Sequence, residues 1–260
     1  MNICEMPPLE GRFIFDTHAH YDDKAFDSDR DEVIEQLHNY GVCGIINCAC
    51  ESKSVKTTLE LAHKYDFIYA AVGLHPEEDE PYNEELIAAA ASDKKCVAIG
   101  EIGLDYHWDS VPREVQADNF EKQIILADSI GKPVIIHDRE AHADTFDLIN
   151  KHRPRGVVHC FSGSAEMAKQ IVSLGMYIGI GGVVTFKNAR KTVEIAEQIP
   201  LERILLETDC PYMAPVPFRG ERCNSAMIYY DAMKIAEIKK VPLKTVLSVT
   251  RENAERLFGI

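Results

Sequence analysis

The sequence predicts a single (β/α)8 barrel domain over residues 1–260, with a metal site at the C-terminal mouth of its strands. Three observations predict it. Short apolar, β-branched runs alternate with longer segments of helical periodicity along the chain. Eight such runs can be read, and their starts recur at intervals of roughly 20 to 40 residues, about the length of one βα unit. Side chains that bind metals stand where several of these runs end. A doubly wound open sheet is the alternative, but no Gly-x-Gly-x-x-Gly follows the first run. The 260 residues are enough for one large α/β domain, and no low-complexity linker divides them.

The first run, Phe13–Asp16, leads into Thr17-His18-Ala19-His20. Side chains two apart in extended backbone point to the same side, so His18 and His20 can aim both imidazoles at one divalent ion. Gly44–Asn47 and Ile68–Val72 are the second and third runs, the latter followed by Gly73-Leu74-His75-Pro76. The fourth, Val97–Gly100, meets Glu101 directly. A helix is expected from about Arg113 to Ile130, with Phe120, Ile124 and Ala127 along one face. The fifth run, Val134–Ile136, precedes His137, and a helix over Ala141–Lys151 turns Phe146 and Ile149 inward. The sixth, Val157–His159, ends in His159, with a helix over Ala165–Leu174 behind it. Met176–Ile180 is the seventh; Ile204–Leu206 is the eighth, with Asp209 beyond it. Gly131, Gly156 and Gly175 lie near helix-to-strand junctions, where C-terminal caps are expected.

Composition narrows the class. No apolar stretch approaches the roughly 20 residues that span a bilayer, so no membrane segment is expected. Met1–Pro8 lacks a basic region followed by an apolar one, which argues against a secretory signal. The eight cysteines are Cys4, Cys43, Cys48, Cys50, Cys96, Cys160, Cys210 and Cys223. Five of them (Cys43, Cys48, Cys96, Cys160, Cys210) lie in or beside apolar runs, where a free thiol behaves as a small hydrophobe. Cys48-Ala49-Cys50 has no second pair to complete a zinc ribbon. The set reads as reduced thiols of a cytoplasmic protein. A formal net charge of −14 argues against a broad basic surface for long nucleic acid. It leaves room for an enzyme that grips a few phosphates through cations, which reverse the local field.

In a barrel the strand ends surround one mouth, where active sites of this architecture sit. Four imidazoles and two carboxylates would meet there: His18, His20, Glu101, His137, His159 and Asp209. Six donors exceed the three that a catalytic zinc typically takes from its protein. Two ions sharing a bridging group use them economically. Glu101, with two oxygens, is the candidate bridge; His18, His20 and Asp209 complete one ion, and His137 and His159 the other. Two cations about 3.5–4 Å apart clamp the attacking and leaving oxygens of a displacement at phosphorus or carbon. Asp209 is also the candidate general base, the alternative being a ligand alone. Histidine with carboxylate suits Zn²⁺, Mn²⁺ or Fe²⁺, whereas Mg²⁺ prefers oxygen.

Other residues carry two readings each. Asp105 is either a carboxylate that orients a ligand or an ordinary turn residue. Tyr106, His107 and Trp108 either stack on an unpaired base or form an apolar cover for the rim. Arg139 faces either phosphate or Glu140. Lys187, Arg190 and Lys191 form the clearest basic cluster, either steering a backbone or lining a solvated helix face.

Seven segments resemble the TatD family of metal-dependent deoxyribonucleases, within the amidohydrolase superfamily. They are Phe15–His20, Gly73–Pro76, Gly100–Tyr106, Pro133–Ala141, His159–Gly163, Leu206–Pro211 and Asn253–Gly259, in family order over nearly the whole chain. The resemblance implies a barrel, two or three divalent cations with Mg²⁺ expected for nuclease activity, and hydrolysis of DNA. The DNA would be cut from single-stranded or frayed 3′ ends. His18, His20, Glu101, His137, His159 and Asp209 match the family's ligands position by position, with Asp209 and Glu101 implied in catalysis. His75 is implied as a phosphate contact, or else it shapes its loop beside Pro76. Ser162 and Gly163 are candidates to offer backbone N–H groups to a phosphate, while Ser164 is placed to cap the following helix. Arg219–Ser225 resembles the family's Arg-Gly-x-Arg-Asn-x-Pro loop, in which Arg219 would touch substrate. It departs by Cys223 before Asn224 and by lacking the proline. Another ester or amide hydrolase of the superfamily, such as a D-aminoacyl-tRNA deacylase, is the alternative.

Overall fold

Strands form in sequence order and every neighbouring pair is parallel: β1 (Ile14–Ala19), β2 (Val42–Cys48), β3 (Ile68–Val72), β4 (Cys96–Asp105), β5 (Val134–Arg139), β6 (Gly156–Val158), β7 (Tyr177–Ile180) and β8 (Ile204–Leu206). The computed structural model describes residues 13–260 together with Pro7, Leu9 and Gly11; Cys4 and most of Met1–Pro8 lie outside them. The ring closes where β8 meets β1. Asp209 N–H donates to His18 O at 3.0 Å, and His20 N–H donates to Cys210 O at 2.8 Å. This is the barrel that the alternating pattern predicts.

Helices α1 (Arg30–Tyr40), α2 (Ser52–Lys64), α3 (Glu84–Ala91), α4 (Arg113–Ser129), α5 (His142–His152), α6 (Ala165–Ser173), α7 (Arg190–Gln198) and α8 (Ile228–Lys239) follow the eight strands in turn. A ninth, α9 (Leu243–Phe258), ends the chain. Each turns an apolar stripe to the strands; α2, for example, buries Val55, Thr58, Leu61 and Ala62 at helical spacing. Ser164 caps α6, its hydroxyl accepting from Met167 N–H at 3.1 Å. Gly131 and Gly175 take the left-handed conformation expected past a helix end, at φ +68° and +93°. Gly156 does not. It begins β6, and the left-handed residue after α5 is Arg153 at φ +50°. Gly156 is required for another reason, since a Cβ there would lie 2.3 Å from Val134 O on the adjacent strand.

Two apolar layers result. Outer strand faces pack on the helices in the larger core. Inside the ring, Phe15, Ile46, Ala71, Val97, Ile135, Val157, Tyr177 and Leu205 supply one side chain per strand. Ala254, Leu257 and Phe258 of α9 join that inner layer and no other helix among the described residues does, so α9 plugs the barrel from one end. Asn253 fastens it there, its amide donating to Leu201 O and Ile204 O at 2.9 Å each. With its floor filled by apolar side chains, the barrel is left one end for polar chemistry.

Candidate metal centre and active-site cavity

Glu101 lies at the centre of the polar end. Strand β4 runs on past it to Asp105, and its register with β5 shifts between Ile99 and Ile102. Glu101 N–H donates to Ala49 O at 3.1 Å. The carboxylate is buried, and its two oxygens address different histidines. Oε2 lies 3.1 Å from His18 Nε2 and 3.7 Å from His20 Nε2. Oε1 lies 2.7 Å from His159 Nε2 and 2.9 Å from His137 Nδ1. Asp209 Oδ1 completes the first side at 3.4 Å from His20 Nε2 and 3.7 Å from His18 Nε2. All six residues singled out in the sequence are thus brought together, in the two groups expected.

The donor set suits cations. Imidazole nitrogens face one another at 3.0 Å (His18 and His20) and 3.3 Å (His137 and His159). Nitrogens that present lone pairs to each other repel unless a cation lies between them. Donor atoms of His18, His20 and Asp209 all lie within 4.8 Å of one another, as do those of His18, Glu101 and His159. Three further groups satisfy the same criterion among the described residues: His20 with Cys50 and Glu101, His75 with Glu101 and His137, and Glu77 with Asp105 and His137. The histidines and carboxylates are therefore able to hold more than one divalent ion.

Hydrogen bonds behind the ring set which nitrogen is free. Cys48 O can only accept, so the 2.9 Å contact with His20 makes Nδ1 the protonated nitrogen and leaves Nε2 for the centre. Asp105 Oδ2 does the same for His137, accepting from Nε2 at 2.9 Å and freeing Nδ1. Both readings of Asp105 hold, because its Oδ1 also accepts from His107 N–H at 2.8 Å and so forms a turn. His75 differs. Its Nδ1 accepts from Glu77 N–H at 3.2 Å, and burial lowers its pKa, so the neutral ring carries its proton on Nε2. That N–H points towards Glu101 Oε1 at 3.6 Å, which makes His75 a hydrogen-bond donor to the cavity.

Electrostatics follow from this ring. Burial alone would raise the pKa of Glu101, but His159, His18, His75 and His137 around it hold the carboxyl well below its ordinary range. Asp209 is likewise held down, against the opposing effect of burial, by His20, His18 and His159. It keeps 24% of its side chain exposed, against 4% for Glu101, so Asp209 is the more open of the two carboxylates to the cavity. Glu207 behaves in the opposite sense. It is buried beside His159, and burial pushes its carboxyl up to about 7 although Cys160 N–H donates to it.

A cavity of about 720 Å³ opens over the centre, a volume ordinary for a small-molecule or nucleotide site. His75 and Ser162 line it; among the described residues neither Gly163 nor Arg219 does. Arg219 stacks over the Phe186 ring at 3.9 Å. Arg222, in the same loop, makes a two-pronged pair with Asp29 at 2.7 and 2.6 Å. Asn224 caps the following turn, its side chain accepting from Ala226 N–H at 3.1 Å. This divergent loop is tied to the protein. Lys187, Arg190 and Lys191 are absent from the described cavity lining, whereas Arg139 belongs to it.

Several supporting residues escaped the sequence reading. Buried Asp16 accepts from Thr208 N–H at 3.0 Å, from Thr208 Oγ1 at 2.6 Å and from Ser225 Oγ at 2.6 Å, which fixes the backbone just before Asp209. Gln116 Oε1 accepts from Asp105 N–H and its Nε2 donates to Asp105 O, both at 2.8 Å. Gln123, seven residues on and so on the same face of α4, clasps Leu74 beside His75 at 2.7 and 3.1 Å. The available signal was two amides on an otherwise apolar helix face. From the His137 contact we predict that Asp105→Asn, which replaces the accepting oxygen with a donor, weakens metal affinity or activity about 10- to 100-fold. Calorimetric Mn²⁺ titration checks this; an unchanged affinity would show that Asp105 does not orient His137.

Comparison with known proteins agrees with this geometry. Residues 15–259 match the model of a family described as TatD related DNase. An uncharacterized metal-dependent hydrolase of Bacillus subtilis, YabD, is 42% identical over 95% of this chain and 99% of its own length. YcfH of Escherichia coli K12, named in the same words, is 34% identical over 95% of this chain and 96% of its own. The crystal structure of YjjV, a TatD homologue of the same bacterium, superposes with a TM-score of 0.90 at 33% identity, covering 95% of this chain and 98% of that one. With these matches running from the first strand to the last helix over the same barrel, the chain belongs to the TatD family of metal-dependent hydrolases.

Proposed function

We propose that this protein is a divalent-metal-dependent phosphodiester hydrolase that removes nucleotides from DNA 3′ ends in the cytoplasm. The observation that carries the reading is Glu101, whose two oxygens each face a separate pair of histidines. The family match supplies DNA as the substrate class. His18, His20, Asp209 and Glu101 Oε2 would hold one cation; Glu101 Oε1, His137 and His159 would hold the other. Bound cations supply charge stabilisation at the scissile ester and make water more acidic. Asp209, exposed to the cavity and ionised, accepts the proton of the attacking water. His75 donates its Nε2–H to a phosphate oxygen, and Ser162 lines the path of the strand. The apolar floor keeps bulk water from reaching the centre from below.

The test is a metal-by-metal assay on single- and double-stranded DNA labelled at either end, with a D-aminoacyl-tRNA in parallel. Chelation should abolish shortening from the 3′ end, and Mg²⁺ or Mn²⁺ should restore it. Cleavage of D-aminoacyl-tRNA with DNA untouched, or nuclease activity that survives chelation, would refute the proposal. Among the described residues no helix is long and apolar enough to cross a membrane.

A further inference from the structure

Two large aromatic side chains at the cavity rim are left uncovered. Trp108, the chain's single tryptophan, is 50% exposed on the loop after β4. Tyr212, after β8, is 57% exposed. Both line the cavity over the metal centre. In a closed ring of eight strands in sequence order, β4 and β8 are half a turn apart, so these two loops stand on opposite sides of the mouth. Half of the Trp108 surface stays open at the cavity, which leaves the ring accessible to a ligand.

Both residues are anchored beside the centre through their backbone N–H groups. Trp108 N–H donates to Asp105 Oδ1 at 3.3 Å, the carboxylate that holds His137. The His107 ring meets Trp108 edge to face at 4.7 Å, and the Arg139 guanidinium lies 5.7 Å from its ring centre. Tyr212 N–H donates to Asp209 O at 2.9 Å, and its hydroxyl donates to Asp23 at 3.2 Å. Charge points the same way. The protein carries a net −14, and Arg139 is the only lysine or arginine among the described residues that line the cavity. Beyond the cations at the centre, attraction for a polyanion is therefore weak, and the flanking parts of a strand need contacts that charge does not supply. Every base has a π-face, and stacking on aromatic side chains supplies such contacts without regard to sequence.

We propose that Trp108 and Tyr212 are base-stacking platforms on either side of the metal centre. They receive unpaired bases of a nucleic-acid strand on the two sides of the reacting phosphodiester. The inference rests on the phosphodiesterase reading above and adds which side chains receive the bases of the unpaired strand; bases inside a duplex already stack on their neighbours and would not reach them. Trp108 reports on itself, being the single tryptophan. A single-stranded phosphorothioate oligonucleotide should quench its emission, and an abasic strand of equal length should not. Trp108→Ala and Tyr212→Ala should each raise KM for single-stranded DNA about tenfold with kcat within about twofold. Trp108→Phe should recover most of the loss, which a merely structural tryptophan would not explain. Equal binding of the abasic strand, or an unchanged KM in Trp108→Ala while DNA is still cleaved, overturns the stacking proposal alone. If the wild-type protein neither binds nor cleaves any DNA but hydrolyses another ester, the phosphodiesterase reading fails and stacking falls with it.

Discussion

Glu101→Gln should lower kcat for DNA cleavage at least about 10³-fold while the protein stays folded. Glutamine keeps the size of the side chain but removes the one negative charge that faces both histidine pairs, at 3.1 Å from His18 and 2.7 Å from His159. Metal-borne charge stabilisation is worth several kcal/mol, and each 1.36 kcal/mol is a factor of ten in rate. Glu101 is not one of the apolar side chains that fill the floor, so circular dichroism and thermal unfolding should remain close to wild type. Metal content per chain, measured by elemental analysis, should fall together with activity. A variant that keeps both its metal and its rate would remove Glu101 from the centre of the mechanism.

Asp209→Asn should cost about 10²- to 10⁴-fold in kcat, the range for a positioned general base. Asparagine can still offer an oxygen to a cation but cannot accept a proton. The two roles of Asp209 therefore separate when activity is measured against metal concentration. If Asp209 moves a proton, kcat stays low at saturating metal and bound metal is nearly unchanged. If it is only a ligand, excess metal restores kcat. The greater exposure of Asp209 to the cavity, 24% against 4% for Glu101, favours the first outcome.

The supporting residues make smaller and different predictions. Asp105 acts through His137, and its loss should appear in metal affinity before it appears in substrate binding. Trp108 and Tyr212 should show the reverse, with KM moving and metal content constant. Metal titration alongside substrate titration therefore separates the centre from its rim.

Much of this protein could be read from the chain because the signals are local. Apolar runs and helical stripes arise within one element, so the order of strands and helices follows from periodicity. His18 and His20 share a side because they are two residues apart in a strand. Strand ends were less legible. β1 and β4 continue past Asp16 and Gly100, so His18 and Glu101 lie within strands and not after them. Gly156 looked like a helix cap because sequence does not tell a left-handed turn from a close approach by Val134 on the adjacent strand.

The barrel, the family and the six side chains that meet around Glu101 could all be read along the chain, since each is a pattern of residue types along a line. Only the tertiary structure decided which oxygen of Glu101 faces which histidines, and which imidazole nitrogen is free to face inward. Those choices depend on partners far apart in the chain: Cys48 O for His20, Asp105 for His137, and Thr208 and Ser225 for Asp16. The partners meet only when β8 closes on β1 and α4 presses its two glutamines against the rim. Periodicity is settled by neighbours in sequence, whereas a lone pair is aimed by whatever the closed ring brings within hydrogen-bond reach.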